Sequence, residues 1–159
     1  MRRLASPLLR LVFLAAVVAL PAADPARGQE KEPEVTLPAC GIRYPGGYDP
    51  NTVGIVEGRV ASLSRPEQGP VSFRLEADGA SYTVLTAPAW YWEERQLAVR
   101  DGDQLRVKGS KTMGADGKLY VVVQEITLPG GERPVTLRHS DGKPLWSGCG
   151  PKGCARRGR

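Results

Sequence analysis

Between residues 52 and 146 short apolar–polar runs alternate with tight turn dipeptides, and that spacing leaves room for little except a small domain of strands. Asp78-Gly79, Asp101-Gly102, Asp116-Gly117, Gly130-Gly131 and Asp141-Gly142 punctuate the stretch. Asp-Gly and Gly-Gly supply the positive φ that two-residue hairpin turns require. Val71, Phe73 and Leu75 alternate with Ser72, Arg74 and Glu76, a period of two that buries one face and wets the other. Tyr82 and Val84 continue as the return strand, which Pro88 stops. Before them, Val53, Ile55, Val56, Val60 and Leu63 form a long first strand containing Gly54 and Gly58. Glycines inside a strand mark a bulge or sharp bend, as at a barrel corner. Gln104 to Gly109 sets Leu105 and Val107 on one face, and Leu119 to Leu128 is the longest uninterrupted strand. Pro88 to Leu97 (PAWYWEERQL) is the one helix candidate and is short. Val135 to Arg138 and Pro144 to Trp146 flank Asp141-Gly142 as a closing hairpin.

The order is therefore three strands, a short helix, two strands and a hairpin. Short strands joined by tight turns need a closed sheet to remove their edges. The expected fold is all-β: a five-stranded, OB-fold-like β-barrel over residues 52–148, with one short helix and a C-terminal hairpin. The glycine-broken first strand suits this plan, because it must curl to pair on both sides. A different small barrel or sandwich with an extra hairpin is the alternative.

The ends of the chain carry other information. Arg2, Arg3 and Arg10 precede the apolar run Leu11 to Leu20 (LVFLAAVVAL), followed by small residues and a proline. That is the layout of a secretory signal peptide, expected over residues 1–28. Cleavage after Ala22, Ala23 or Gly28 is equally compatible with it. The expected location is periplasmic or secreted, and no later apolar run approaches the about 20 residues that a membrane span needs. Residues 29–51, with Pro33, Pro38, Pro45, Gly46, Gly47 and Pro50, read as an irregular lead-in; Tyr44 and Tyr48 suit packing on the domain, and a disordered linker is the alternative. The formal charge of +5 is concentrated at the ends. Arg2, Arg3, Arg10 and Arg27 against Asp24 hold part of it, and Lys152, Arg156, Arg157 and Arg159 load the tail at 149–159. The body is left slightly acidic. A nucleic-acid ligand needs a basic groove with interleaved aromatics, and this distribution argues against one. The tail is suited to weak contact with anionic surfaces.

Two stretches carry a resemblance. One is Gly102-Asp103-Gln104-Leu105-Arg106-Val107-Lys108-Gly109. The other joins Ala87-Pro88-Ala89-Trp90-Tyr91-Trp92 to Leu137-Arg138 and Asp141-Gly142-Lys143-Pro144-Leu145-Trp146. Together they resemble the exported bacterial OB-like domains of the MamS/MamX type, from Val53 to Gly148. The resemblance implies an exported barrel and transfers no activity residue by residue. MamX-type proteins also carry haem-attachment motifs; Cys-x-x-Cys-His is absent here, so haem binding does not carry over. It does not by itself assign a magnetosome role.

Trp90, Tyr91 and Trp92 concentrate aromatic area in three consecutive residues, and a helix cannot bury all three on one face. Either the helix plugs the barrel end with one or two of them, or the rings stack on a partner. In the second case these three are the first contact residues. Trp146 packs the last hairpin or joins that set. Arg138, His139 and Asp141 read as a solvated turn.

Cysteines in an exported protein tend to pair, and Cys149-Gly-Pro-Lys-Gly-Cys154 has the turn content for a local disulfide. Pairing of Cys40 with either is the alternative, and one thiol of three remains over. A sharper possibility is metal or redox handling by Cys40, Cys149, Cys154 and His139, because thiolates and imidazole suit zinc and thiolates suit cuprous copper. The spacing is wider than usual zinc pairs, so no metal is assigned and no cofactor is expected. One His, no nucleophile elbow and no phosphate loop argue against an enzyme. The expected function is a small binding or adaptor module for a protein or small ligand.

Overall fold

In the computed structural model the described residues are 33–147, Asp78 and Glu132 apart. The expected signal peptide at 1–28 and the tail at 149–159 lie outside them. The elements are β1 (Val35–Thr36), β2 (Arg43–Tyr44), a 3-10 turn (Pro50–Thr52), β3 (Val53–Ser64), β4 (Pro70–Ala77), β5 (Ala80–Pro88), α1 (Ala89–Glu94), β6 (Gln104–Met113), β7 (Leu119–Thr127) and β8 (Val135–Thr136). Pairing runs β5-β4-β3-β6-β7, and β5 also pairs with β7 in parallel, from Tyr82↔Leu119 to Leu85↔Val122. The five strands β3 to β7 thus close into a barrel, with the short helix between the third and fourth of them, as the sequence order requires.

The long first strand of the barrel curls as expected. It pairs with β6 over Val53–Arg59 and with β4 over Arg59–Ser64. The handover falls at Arg59, beside Gly58, where a Cβ would stand 2.4 Å from the Glu76 carbonyl oxygen. No side chain fits that approach. The bulge itself is farther on, between Ala61 and Ser64, with Ser62 at φ 54°. Gly109 marks a second close approach: the register of β6 on β7 shifts there, and a Cβ would lie 2.4 Å from the Val122 carbonyl oxygen.

The alternating residues fill the interior. Val56, Val60, Phe73, Leu75, Val84, Leu105, Val107, Val121 and Ile126 are all buried in one cluster. Each such side chain contributes about 1.5–3 kcal/mol of transfer free energy. The helix closes one end of the barrel. Its last turn finishes at Gln96, in the left-handed region at φ 52°, with the Leu97 N–H donating to the Trp92 carbonyl.

Beyond Val122 the edge of β7 that faced β5 passes to β8, through Glu125↔Thr136 and Ile126↔Val135. The N–H groups of Leu137 and Arg138 then both donate to the Gln124 carbonyl. The expected closing hairpin shrinks to one bridge, Arg138↔Pro144, because β7 takes the strand that a hairpin partner would have taken.

The lead-in is more ordered than its prolines and glycines suggest. β1 and β2 pair with each other, and the turn between them is tied by Gly41 N–H to the Leu37 carbonyl. Cys40 and Ile42 form a second cluster outside the barrel wall with Leu85, Tyr120 and Val122, flanked by Leu37 and Tyr48. The lead-in thus covers the outer face of the β5–β7 pair. Among the described residues no helix is long and apolar enough to cross a membrane.

Candidate functional site

The aromatic triplet divides. Tyr91 and Trp92 are fully buried, and Trp90 is half-buried. A six-residue helix laid across the barrel end, rather than along its side, turns two adjacent positions inward. Trp92 meets Phe73 edge-on at 6.5 Å, and its indole N–H donates to the Thr86 hydroxyl at 2.8 Å. Thr86 donates in turn to the Val71 carbonyl at 2.7 Å, and its own carbonyl accepts from the Tyr44 hydroxyl. Tyr91 packs on Trp146 at 5.6 Å, and Trp146 stacks on Tyr44 at 6.2 Å. Tyr91, Trp92 and Trp146, expected as contact residues, are therefore core. Trp90 alone of that set reaches the surface.

Arg138 also departs from expectation. Its neighbours His139 and Asp141 are exposed, as a solvated turn requires, but Arg138 is 0% exposed. Its guanidinium lies 4.7 Å over the Trp146 ring and 5.9 Å from that of Tyr44. One terminal nitrogen donates to the carbonyls of Pro45 and Gly142, at 2.8 and 3.1 Å. Gly142 has φ +87°, and a Cβ there would meet the Tyr48 ring at 2.5 Å. Tyr48 donates to the buried Gln124 side chain at 3.0 Å; burial pushes its phenol above the ordinary range, with the Arg138 charge opposing. The stretch from Leu137 to Trp146 is thus a clasp that fastens the lead-in over the barrel seam.

Cys40 and His139, two of the four residues of the possible metal set, are placed by the structure. Cys40 is buried among apolar side chains, and its carbonyl holds the β6–β7 turn through the Ala115 N–H. Beside it the Tyr120 phenol is pushed up to about 12, by burial first and then by its hydrogen bond to Asp116. Burial opposes ionisation of Asp116, yet hydrogen bonds from Lys118 and Tyr120 hold its carboxyl below the usual range. Among the described residues no three His, Cys, Asp or Glu side chains gather as metal ligands. Cys149, Cys154 and their expected disulfide lie outside the described residues.

One accessible recess among the described residues is an open groove of ≈ 450 Å³ beside α1, lined by Arg65, Trp92, Glu93, Gln96, Leu97, Ala98, Val99 and Arg100. The Arg65 guanidinium sits 5.6 Å over Trp92 and reaches the Val99 carbonyl at 3.4 Å. The floor is apolar and the rim carries two guanidinium groups and one carboxylate. Sequence reasoning missed Arg65 and Arg100, because neither belongs to a motif and only the barrel's closure brings Arg65 to the helix. Elsewhere on the wall, charges pair within the sheet: Glu57 with Arg106, Arg74 with Glu76 and Lys108 with Glu125, each at 3.4 Å.

No curated protein matches the chain. The family comparison is positive and falls on the barrel: residues 52–132, from the start of β3 past the end of β7, match the MamS/MamX magnetosome protein family. With a closed five-stranded barrel under that match, and with the match spanning half of the sequence, the chain belongs to the MamS/MamX magnetosome protein family.

Proposed function

We propose that this protein is an exported, magnetosome-associated binding or adaptor module, and that the groove beside α1 is where it takes its ligand. The observation that carries this reading is the composition of the groove. An apolar floor with two guanidinium groups on its rim suits an anionic group attached to an apolar body. Arg65 is held over Trp92 and against the Val99 carbonyl, so little side-chain entropy is lost on binding. A protein segment bearing a carboxylate, or a small anionic ligand, has the required chemistry. The leader at 1–28 supports export, and the basic tail adds attraction to anionic surfaces. The paired charges on the wall support a protein or small ligand over nucleic acid. The reading gives the protein no catalytic step.

The test is site-directed photocrosslinking in a periplasmic extract of a magnetosome-forming cell. A crosslinker at Gln96 should give a discrete adduct that one at Ser81, across the barrel, does not. Arg65→Glu with Arg100→Glu should abolish the adduct. An adduct that survives charge reversal, or appears equally at Ser81, removes the groove from the proposal.

A further inference from the structure

The turn that carries one groove arginine also holds the strand that carries the other. At residues 100–103 the Arg100 N–H donates to the Asp103 carboxylate at 2.8 Å, and the Asp103 N–H donates to the Arg100 carbonyl at 3.2 Å. This turn is docked on β3. Val60 donates to the Asp103 carbonyl and accepts from the Gly102 N–H, each at 2.8 Å, and the Arg59 guanidinium reaches the Gly102 carbonyl at 3.0 Å. From that platform the Asp101 side chain reaches across, and its Oδ1 accepts the Leu63 N–H at 2.9 Å. Leu63 lies inside the β3 bulge, next to Ser62 at φ 54°. A serine in the left-handed region persists only where its surroundings hold it there. Among the described residues the one other non-glycine at positive φ is Gln96, where α1 ends. Two residues after Leu63 comes Arg65, over Trp92 and against the Val99 carbonyl.

We infer that Asp101 is a positioning residue for the groove: by holding the Leu63 N–H it fixes the bulge, and so sets the Arg65 guanidinium over Trp92 at a constant place relative to Arg100. The bulge adds one residue to β3, since Ala61 pairs with Arg74 and Ser64 with Ser72. The path of the strand beyond it depends on how that extra residue is accommodated. The Asp101 oxygen ties this path to the residue next to Arg100. Two guanidinium groups that grip one anionic group must keep their spacing, and supporting hydrogen bonds keep it better than free loops do. The charge of Asp101 works the other way, because a carboxylate beside the rim repels an anion. What Asp101 contributes is therefore the acceptor rather than the charge. The inference rests on the groove as the ligand site, and adds the residue that sets its geometry.

Asp101→Ala and Asp101→Asn remove the same charge, but only alanine removes the acceptor. Asp101 is exposed and its φ is not positive, so its backbone accommodates both. Nuclear magnetic resonance of the signal-processed chain gives the first readout. In the parent and in Asp101→Asn the Leu63 amide should resist exchange, and the Arg65 side chain should show Overhauser contacts with the Trp92 indole. In Asp101→Ala both signals should vanish. Asp116→Ala also removes the acceptor of a main-chain N–H, that of Lys118, in the turn at the other end of β6; it should leave both signals intact. The second readout is the crosslink at Gln96. The amount of periplasmic extract that gives half the maximal adduct should rise roughly fivefold or more for Asp101→Ala, and stay near the parent's for Asp101→Asn and Asp116→Ala. An Asp101→Asn that behaves like Asp101→Ala overturns the inference, because the charge then outweighs the acceptor. So does an Asp101→Ala that keeps the Arg65–Trp92 contacts, or one that loses them and binds as the parent does. A parent that gives no adduct at Gln96 removes the groove itself and, with it, the role of Asp101; that failure shows before any Asp101 variant is made.

Discussion

Replacing Thr86 by valine tests the polar hub beneath the helix. The side chains are nearly isosteric, so the change removes a hydroxyl without opening a cavity. Two groups lose their partner: the Trp92 indole N–H, at 2.8 Å, and the Val71 carbonyl, at 2.7 Å. Val71 lies at the register shift between Pro70 and Ser72, and its strand neighbours Pro70 and Pro88 have no N–H to offer. The Thr86 hydroxyl therefore supplies a donor that the ladder lacks there. All three residues are fully buried or nearly so. Each stranded buried group costs about 1–3 kcal/mol, so Thr86→Val should destabilise by about 3 kcal/mol. For a domain of this size that is a fall in Tm of roughly 12 °C. Urea denaturation should show a lower midpoint with an unchanged slope. Thr86→Ser keeps the hydroxyl and loses one methyl, at about 1 kcal/mol. In a double-mutant cycle with Trp92→Phe, the coupling should be about 1–2 kcal/mol, because the phenyl ring has no N–H to strand. Thr86→Val costing no more than Thr86→Ser would refute the reasoning.

Gly58→Ala should lower stability by about 2–4 kcal/mol, because its Cβ meets a main-chain carbonyl that cannot yield; Gly79→Ala, where nothing lies within 4 Å, should cost less and act through its positive φ alone. Tyr120 keeps its proton up to about 12 in the folded state against 10.0 when unperturbed. The folded state therefore binds more protons between those values, and its stability, complete below pH 10, should fall as pH rises through that window. Urea midpoints measured at increasing alkaline pH should show this slope, and Tyr120→Phe should flatten it, leaving the part that Tyr48, also raised by burial, contributes.

Much of the barrel is legible in the sequence, because its signals are local. Asp-Gly turns and the alternation of Val71, Phe73 and Leu75 depend only on neighbours, and so does the glycine at the handover of β3. The clasp is not legible for the opposite reason. Arg138 stands beside His139 and Asp141 and looks solvated. It is buried because the carbonyl of Pro45, 93 residues away, and the rings of Tyr44 and Trp146 surround it. The lead-in misleads similarly: its prolines and glycines forbid long elements but not two short strands laid on the wall. The aromatic triplet showed that three rings cannot share one helix face, yet the local pattern could not reveal that α1 crosses the barrel end. The groove needed the closed barrel, since Arg65 and Trp92 belong to different elements.

The clasp lies outside the stretch that matches the family. The family match ends at residue 132, before β8, Arg138 and Trp146, and begins after Tyr44. A fragment cut at those limits would keep five strands and the helix. It would lack the hydroxyl that serves the Thr86 carbonyl, the strand that covers β7 at Glu125 and Ile126, and the ring that packs on Tyr91. Its seam would stand unlatched. As the chain is synthesised the barrel strands emerge before Arg138 and Trp146 do, so nearly its whole length must appear before the latch can shut. The folding unit is therefore longer than the stretch that matches the family, and truncation to the latter should yield a loosened barrel rather than a smaller stable one.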